Sequence, residues 1–556
     1  MRLIFNFMKA SEYISILIIA YITIISVTFT LCYISPYSLV NPYYNDFLTI
    51  VMSIIIGVVV LYIIIQFNKY SNNFKLKTIK TISIITIIVL SLVYILFSGY
   101  KSSPDTQMMM NNANDIINNN HKYNNIEYMN RFPYQSGMVL YLMILMFIFQ
   151  RINYDTLNIV LQICNIPLLC ITALLLILIA KEIYGDKAAK NTAFCLMLTI
   201  PIPLSAIQIY GNILSLPLMT GFILTTIKLI KNIKETNHVT TKYIIIIILL
   251  LFLMGFIKLN NIIVGIASTI TMILIALSLI SNRIILKNNV YKNSMKNIII
   301  LFLISITAVP MMILGENTGI SIVNSTGAYS FTEQDRQKTL SFIGMGLSDE
   351  SNHGPGSWLS SVGTGNIRKN NIKGISLINE RIDKTKDNPF SLVDFLFRKT
   401  LYTWTDPTYG YTELAPNLRY VYSRYNLSDE EKSVLNQNWR EKITDSNAFM
   451  VIIRTFSDGV NLIITTIAII GIIYIMKTYK NDETLRITYM MPALIITGGF
   501  LFHLFWETKP EYAYTYFLLL IPYASIGINQ LKPLFTEIMH KIYYRSNVKP
   551  SYKKRY

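Results

Sequence analysis

Long runs of Ile, Leu, Val and Phe, broken by short polar turns, dominate the chain except in two stretches, near 99–155 and 316–455. An apolar run of about 18 residues or more crosses a hydrocarbon layer of roughly 30 Å as one helix. Read this way, the pattern predicts spans at 12–35, 48–66, 80–98, 156–180, 191–209, 213–230, 243–257, 261–281, 297–315, 456–476, 487–505 and 512–530. A further apolar piece at 137–150, containing MVLYLMILMFIFQ, is short for a span.

Charge decides how that piece is read. Short cytoplasmic loops collect Lys and Arg. The basic short loops here are NKYSNNFKLKTIK (68–80), KEIYGDKAAK (181–190), KLIKNIKETNHVTTK (228–242), NRIILKNNVYKNSMK (282–296) and KTYKNDETLR (477–486), and the 531–556 tail is basic as well. All of them fall in the cytoplasm, with both termini, only if 137–150 does not cross. It is therefore read as a juxtamembrane helix at the outer face. The expected organisation is an N-terminal membrane module (1–315) with a first long outer loop at 99–155, an extracytoplasmic domain (316–455), C-terminal membrane helices (456–530) and a cytoplasmic tail (531–556). Long loops cross the membrane largely regardless of charge, so the Lys and Arg of 316–455 do not contradict this.

Composition agrees. The 556 residues are 52% hydrophobic and 14% charged, against about a quarter charged in soluble domains. The expected fold class is an all-α polytopic protein of the cell membrane, with about twelve transmembrane helices and a mixed α/β or irregular outer domain. A net charge of +18 points to a membrane topology here, with the lipid bilayer and no nucleic acid as partner. Arg2 and Lys9 precede a first membrane helix without a clear cleavage site, so no removed signal peptide is expected. Cys32, Cys164, Cys170 and Cys195 all lie within apolar runs, without disulfide or metal-ligand spacing.

The candidate chemistry lies in the outer segments. In FSGYKSSPDTQ (97–107), Asp105 sits about seven residues beyond an apolar helix end. A carboxylate there suits general-base work on a substrate at the bilayer surface. It is equally suited to cap a helix over TQMMMNNANDII. Asp115 and Glu127 are weaker candidates in the same loop. Arg131, in YMNRFPYQSG, fits a phosphate partner or a snorkelling interfacial role. Lys258, in GFIKLNNII, is a turn residue or a cation facing a lipid phosphate. LYTWTDPTYGYTE (401–413) and HLFWETKPEYAYTY (503–516) set Trp404, Asp406, Trp506, Glu507 and Lys509 among aromatic residues, as a sugar-binding cleft does. There is no HExxH, Walker loop, dinucleotide glycine fingerprint or GxSxG elbow. Acids are nearly absent from the spans, which disfavours an ion-coupled transporter.

The order and sidedness of these features resemble the GT-C integral-membrane glycosyltransferases, in particular the family-39-like branch of protein O-mannosyltransferases and aminoarabinose transferases. SSPDTQ is similar to the loop acid, RFPYQSGMVLY to the juxtamembrane helix, KEIYGDKAAKNTAF with IPIPLSAIQIYGN to a cytoplasmic turn, helix and outer turn, and LFHLFWETKPEYAYTYFLLLIP to the late outer turn. The likeness covers most of 80–315 and 390–530. It implies inverting transfer of a sugar from a polyprenyl-phosphate carrier to a cell-envelope acceptor (polymer, lipid or protein). Asp105 would be the base, Arg131, Lys258, Lys101 and Lys509 would hold the donor phosphate, and Tyr210, Asn212, Trp404, Asp406, Trp506 and Glu507 would bind substrate. Many members carry a second acid where this chain has Asn212. An amide is no base and a poor metal ligand, so no cofactor is expected and a divalent metal has no support in the sequence. The rival readings are a transporter or flippase for lipid-linked sugars and a non-catalytic envelope scaffold.

Overall fold

The computed structural model describes residues 2–32, 47–98, 102–118, 126–236, 238–286, 294–327, 336–351, 354–364, 366–412, 447–531 and 533. Its helices are, in order, α1 (Arg2–Cys32), α2 (Phe47–Tyr70), α3 (Leu76–Ser98), α4 (Pro104–Ile117), α5 (Ile126–Arg131), α6 (Ser136–Ile148) and α7 (Tyr154–Tyr184). They continue with α8 (Asp186–Leu198), α9 (Pro201–Leu204), α10 (Gly211–Thr236), α11 (Thr241–Ile257), α12 (Ile262–Leu286) and α13 (Ser294–Ser325). Then come α14 (Thr339–Gly346), α15 (Ser360–Gly363), α16 (Ile367–Asp387), α17 (Pro389–Trp404), α18 (Asn447–Thr478), α19 (Glu483–Phe505) and α20 (Pro510–Leu518).

The chain is an all-α polytopic membrane protein. Nine of the described helices are long and apolar enough to cross a bilayer. Leu17, Val58, Leu303 and Ile306 on these helices are each more than half exposed. Such apolar belts on many helices fit lipid and not water.

Three of the twelve expected spans differ from single long helices. Segment 191–209 breaks between α8 and α9, which bend by 58° with the 3-10 turn that follows, because Pro201 and Pro203 lack the N–H that would continue α8. Segment 243–257 falls within α11, an apolar helix of 17 residues. Segment 512–530 is interrupted at Leu519, after which 520–531 is helical again. The span expected to end at 315 runs on to Ser325. The short helix α6 has 13 residues, or about 20 Å at 1.5 Å per residue, too short to cross alone. Cys164, Cys170 and Cys195 are free thiols.

Among the described residues there is no β-strand, so the described part of 316–455 is helical where a mixed α/β or irregular domain was expected. The local sequence explains this. Asn366 caps α16 by accepting from Lys369 N, and Asn388 caps α17 with Pro389 at its first position, both favoured helix starts. Residues 413–446 lie outside the described residues.

Close backbone contacts fix the frame around α11. A Cβ on Gly255 would lie 2.0 Å from the Met312 carbonyl oxygen, and one on Gly315 would lie 2.1 Å from that of Phe252. Small residues let membrane helices approach this closely. α6 joins the same packing through Gly137, opposite the Phe256 carbonyl. The C-terminal end of α11 is thereby held on two sides.

At one end of the bundle the basic turns meet. Lys190 donates to the Ser71 carbonyl at 3.0 Å, Lys231 pairs with Glu182 at 2.7 Å, and Lys234 pairs with Asp482. A buried ion pair, Arg486 to Glu12 at 2.7 Å, ties α19 to α1 nearby. The 282–296 loop and the tail fall largely outside the described residues.

Candidate functional site

Five segments of the chain meet near the C-terminal end of α11. The first is the start of α4. Ser103 is its N-cap, accepting from Thr106 N at 3.2 Å, and Pro104 takes the first helical position. The capping role open to Asp105 is therefore filled by Ser103, and the half-buried Asp105 carboxylate stands in the first turn. Thr106 Oγ1 donates to the Ile209 carbonyl at 2.7 Å, which ties α4 to the turn before α10.

That turn holds Gln208, Tyr210 and Asn212. The Tyr210 hydroxyl accepts from Gln135 Nε2 at 2.7 Å, which brings in the segment between α5 and α6. Burial, and then the Asp105 charge, push the hydroxyls of Tyr128 and Tyr210 well above the usual tyrosine range.

Lys258 is the centre of the arrangement. α11 stops at Ile257, and Asn261 Nδ2 donates back to the Met254 carbonyl at 2.9 Å and to Ser215 Oγ at 2.8 Å, so a helix-end acceptor is satisfied. Lys258 is buried at 4% exposure. Its ammonium donates to Asn212 Oδ1 and sits 4.6 Å from the Tyr210 ring centre and 4.9 Å from that of Tyr512. Burial lowers its pKa to about 8, against the raising influence of Glu511, Glu507 and Asp105.

The last segment is the turn between α19 and α20. Glu507 is buried, and its Oε1 has no hydrogen-bond partner. Burial raises its pKa, opposed by the charges of Lys509 and Lys258. Burial alone would lower Lys509, but Glu511, Glu507 and Asp105 hold it above the ordinary lysine range. Glu511, in the first turn of α20, accepts from Gln208 Nε2.

The structure thus brings together Asp105, Tyr210, Asn212, Lys258, Glu507 and Lys509 from the residues singled out in the sequence. It adds Gln135, Gln208, Glu511, Tyr128, Tyr134 and Tyr512. Tyr134 belongs because burial and the charges of Glu507 and Asp105 raise its hydroxyl. All six stood in motifs already noted. No spacing signalled the pairing of Gln208, since its partner is 303 residues away.

For the other predicted residues the structure shows different contacts. Arg131 is buried and donates to the Gly363 carbonyl and to Glu127 at 3.0 Å. The Gly363 contact binds α5 to α15. Trp404 packs against Phe500 and Tyr516, with ring centres 5.7 and 5.8 Å away. Asp406 accepts from Thr408 and faces Arg454 at 3.7 Å. Trp506 stacks on Phe342 and Phe502, next to Glu507 in sequence. Lys101 lies outside the described residues. No group of three or more His, Cys, Asp or Glu arranged to hold a metal occurs among the described residues.

A half-buried carboxylate whose charge acts on two lysines, with aromatic faces and amides around Lys258, is suited to bind an anion and to take a proton from a hydroxyl. No protein-family model and no curated protein matches the chain. Among solved structures, it is similar to the archaeal oligosaccharyltransferase AglB from Archaeoglobus fulgidus, described in complex with an inhibitory peptide and a dolichol-phosphate, at 12% identity and a TM-score of 0.39. That similarity covers 87% of this chain and 52% of the other, so the chain spans about half the length of that protein.

Proposed function

We propose that this protein transfers a sugar from a polyprenyl-phosphate carrier to a hydroxyl of a cell-envelope acceptor, as a family-39-like GT-C glycosyltransferase. The observation that carries this reading is the buried Lys258 ammonium, held by Asn212 and the Tyr210 and Tyr512 rings at one end of lipid-facing helices, within reach of the Asp105 charge that also acts on Lys509. A lipid-linked donor is already confined to that surface.

In this scheme the acceptor oxygen attacks the anomeric carbon from the face opposite the phosphate. The bond from that carbon to the phosphate oxygen breaks, and the polyprenyl phosphate leaves with the bonding electrons. Lys258 and Lys509 stabilise the charge growing on the leaving phosphate. Asp105 takes the acceptor proton, and the product has inverted configuration. The basic turns gathered at the opposite end support an extracytoplasmic site, with the termini and those turns in the cytoplasm.

The test is turnover in reconstituted membranes with a polyprenyl-phosphate sugar donor. Asp105→Asn keeps the first-turn geometry and removes the base, so its rate falls by about 100-fold or more. Normal turnover by a folded Asp105→Asn protein would sink the role of Asp105. Movement of the lipid-linked sugar across the bilayer without a new glycosidic bond would favour a flippase instead.

A further inference from the structure

Two amides in this cluster have partners that settle which way round they face. Side-chain amide oxygen and nitrogen are nearly indistinguishable by shape, and many amides satisfy their neighbours in either orientation. Gln135 is such a case, because its partner, the Tyr210 hydroxyl, both donates and accepts. Gln208 and Asn212 are different. The Glu511 carboxylate accepts, so Gln208 must turn its NH2 towards it. The Lys258 ammonium only donates, so Asn212 must turn its carbonyl towards it.

What remains of each amide is then fixed in polarity. Gln208 Oε1 is an acceptor and Asn212 Nδ2 is a donor. Both atoms are buried, and neither has a hydrogen-bond partner. The two residues are themselves 6% and 7% exposed. An unpaired buried polar atom costs about 1–3 kcal/mol, so both sites gain from a ligand group of the matching kind.

Resting on the proposed lipid-phosphate reading of the site, we infer that Gln208 reads a sugar hydroxyl while Asn212 donates to the phosphate of the same ligand. Gln208 offers only an acceptor, which a hydroxyl satisfies and a phosphate oxygen does not. Asn212 offers only a donor, beside the Lys258 cation, which a phosphate oxygen satisfies. Glu511 and Lys258 act on recognition by holding these amides, and a ligand lacking either group leaves one of them unpaired.

The test uses the full chain in lipid nanodiscs and calorimetric binding of two kinds of phosphodiester. One kind is geranylgeranyl phosphate esterified with glucose, mannose or galactose. The other is geranylgeranyl methyl phosphate, which has the same charge and no sugar. Wild type is expected to bind at least one sugar diester about tenfold more tightly than the methyl diester, the size of effect set by one unpaired polar group. Gln208→Leu should abolish that preference and leave methyl diester binding unchanged. Asn212→Leu should weaken both kinds alike. A folded Gln208→Leu protein that keeps the wild-type preference, or weakens both kinds alike, overturns the inference. Should that variant fail to fold, Glu511→Gln carries the test, because an amide partner no longer fixes Gln208 and the preference falls several-fold; an unchanged preference overturns the inference. Wild-type binding of both kinds with equal affinity overturns it while leaving the lipid-phosphate reading standing. Wild-type binding of neither kind overturns both.

Discussion

Lys258 gives the cluster a pH dependence whose sign differs between binding and folding. Its pKa is lowered to about 8 from the ordinary lysine value of 10.5, chiefly by burial. In the unliganded protein the ammonium is then about 90% populated at pH 7 and about 10% at pH 9. If the charged form holds the phosphate, affinity for geranylgeranyl methyl phosphate falls by about tenfold between pH 7 and pH 9. The diester stays a monoanion throughout, and Lys509, held above the ordinary lysine range, stays charged. Folding moves the other way. The unfolded chain keeps the Lys258 proton up to about pH 10.5, and the folded chain releases it near pH 8. The unfolded state thus binds more protons in that window, and stability rises with pH there, by up to roughly 3 kcal/mol. Calorimetric titration in nanodiscs reads the first effect, and denaturant unfolding across pH 7–10 reads the second. Lys258→Met should flatten both profiles. Lys258→Arg, which stays charged in both the folded and the unfolded chain, should flatten both profiles as well while keeping the cation that binds. A wild-type affinity that does not change from pH 7 to 9, or a fall that persists in Lys258→Arg, refutes the reasoning.

Two further outcomes test the frame that holds Lys258. Gly255→Ala places a Cβ against the Met312 carbonyl, 2.0 Å away, and overpacking of this kind costs about 1–3 kcal/mol; the melting temperature in detergent should drop, with diester binding weakened as α11 shifts. Arg486→Ala leaves Glu12 buried without its 2.7 Å partner, which costs roughly 3–5 kcal/mol. Its melting temperature should drop further, and Glu12→Gln in the same chain should restore part of the loss, since a neutral amide tolerates burial better than an unpaired carboxylate.

The helices were legible because hydropathy is a local signal. Every predicted span is helical over most of its length, down to the short piece that became α6. Hydropathy does not register breaks, however. Pro201 and Pro203 are apolar, so they sit inside an apolar run while ending a helix, and Leu519 interrupts its helix with no compositional mark. The helical character of 339–404 was missed because none of its helices is an apolar run of membrane length, and their signals are the caps Asn366 and Asn388. Around Asp105 the pattern S-P-D held more than was read from it. Proline at the first helical position makes the preceding serine the cap, and that leaves the acid available for other work. Arg131 shows the opposite difficulty. An arginine suits a phosphate and a backbone carbonyl equally, and only the tertiary fold puts Gly363 beside it. The pairing of Gln208 with Glu511 joins residues far apart in the chain, which no reading of spacing reaches.

Lys399 on α17 has a consequence for how the chain can be divided. It is buried at 1% exposure, and its ammonium donates to the carbonyls of Gly346 at 2.5 Å, Leu504 at 3.1 Å and Trp506 at 2.9 Å. Gly346 itself lies so close to Phe505 that a Cβ would stand 2.2 Å from its carbonyl oxygen. A fragment cut at 316 and 455 keeps one of those three acceptors and loses the other two, together with the surface that Gly346 packs on. Secretion of that fragment as a stand-alone binding module would leave a buried cation with most of its partners removed. The helical region and the membrane turn it clasps are one unit of stability, and a fragment meant to keep that region folded needs residues 504–506 as well.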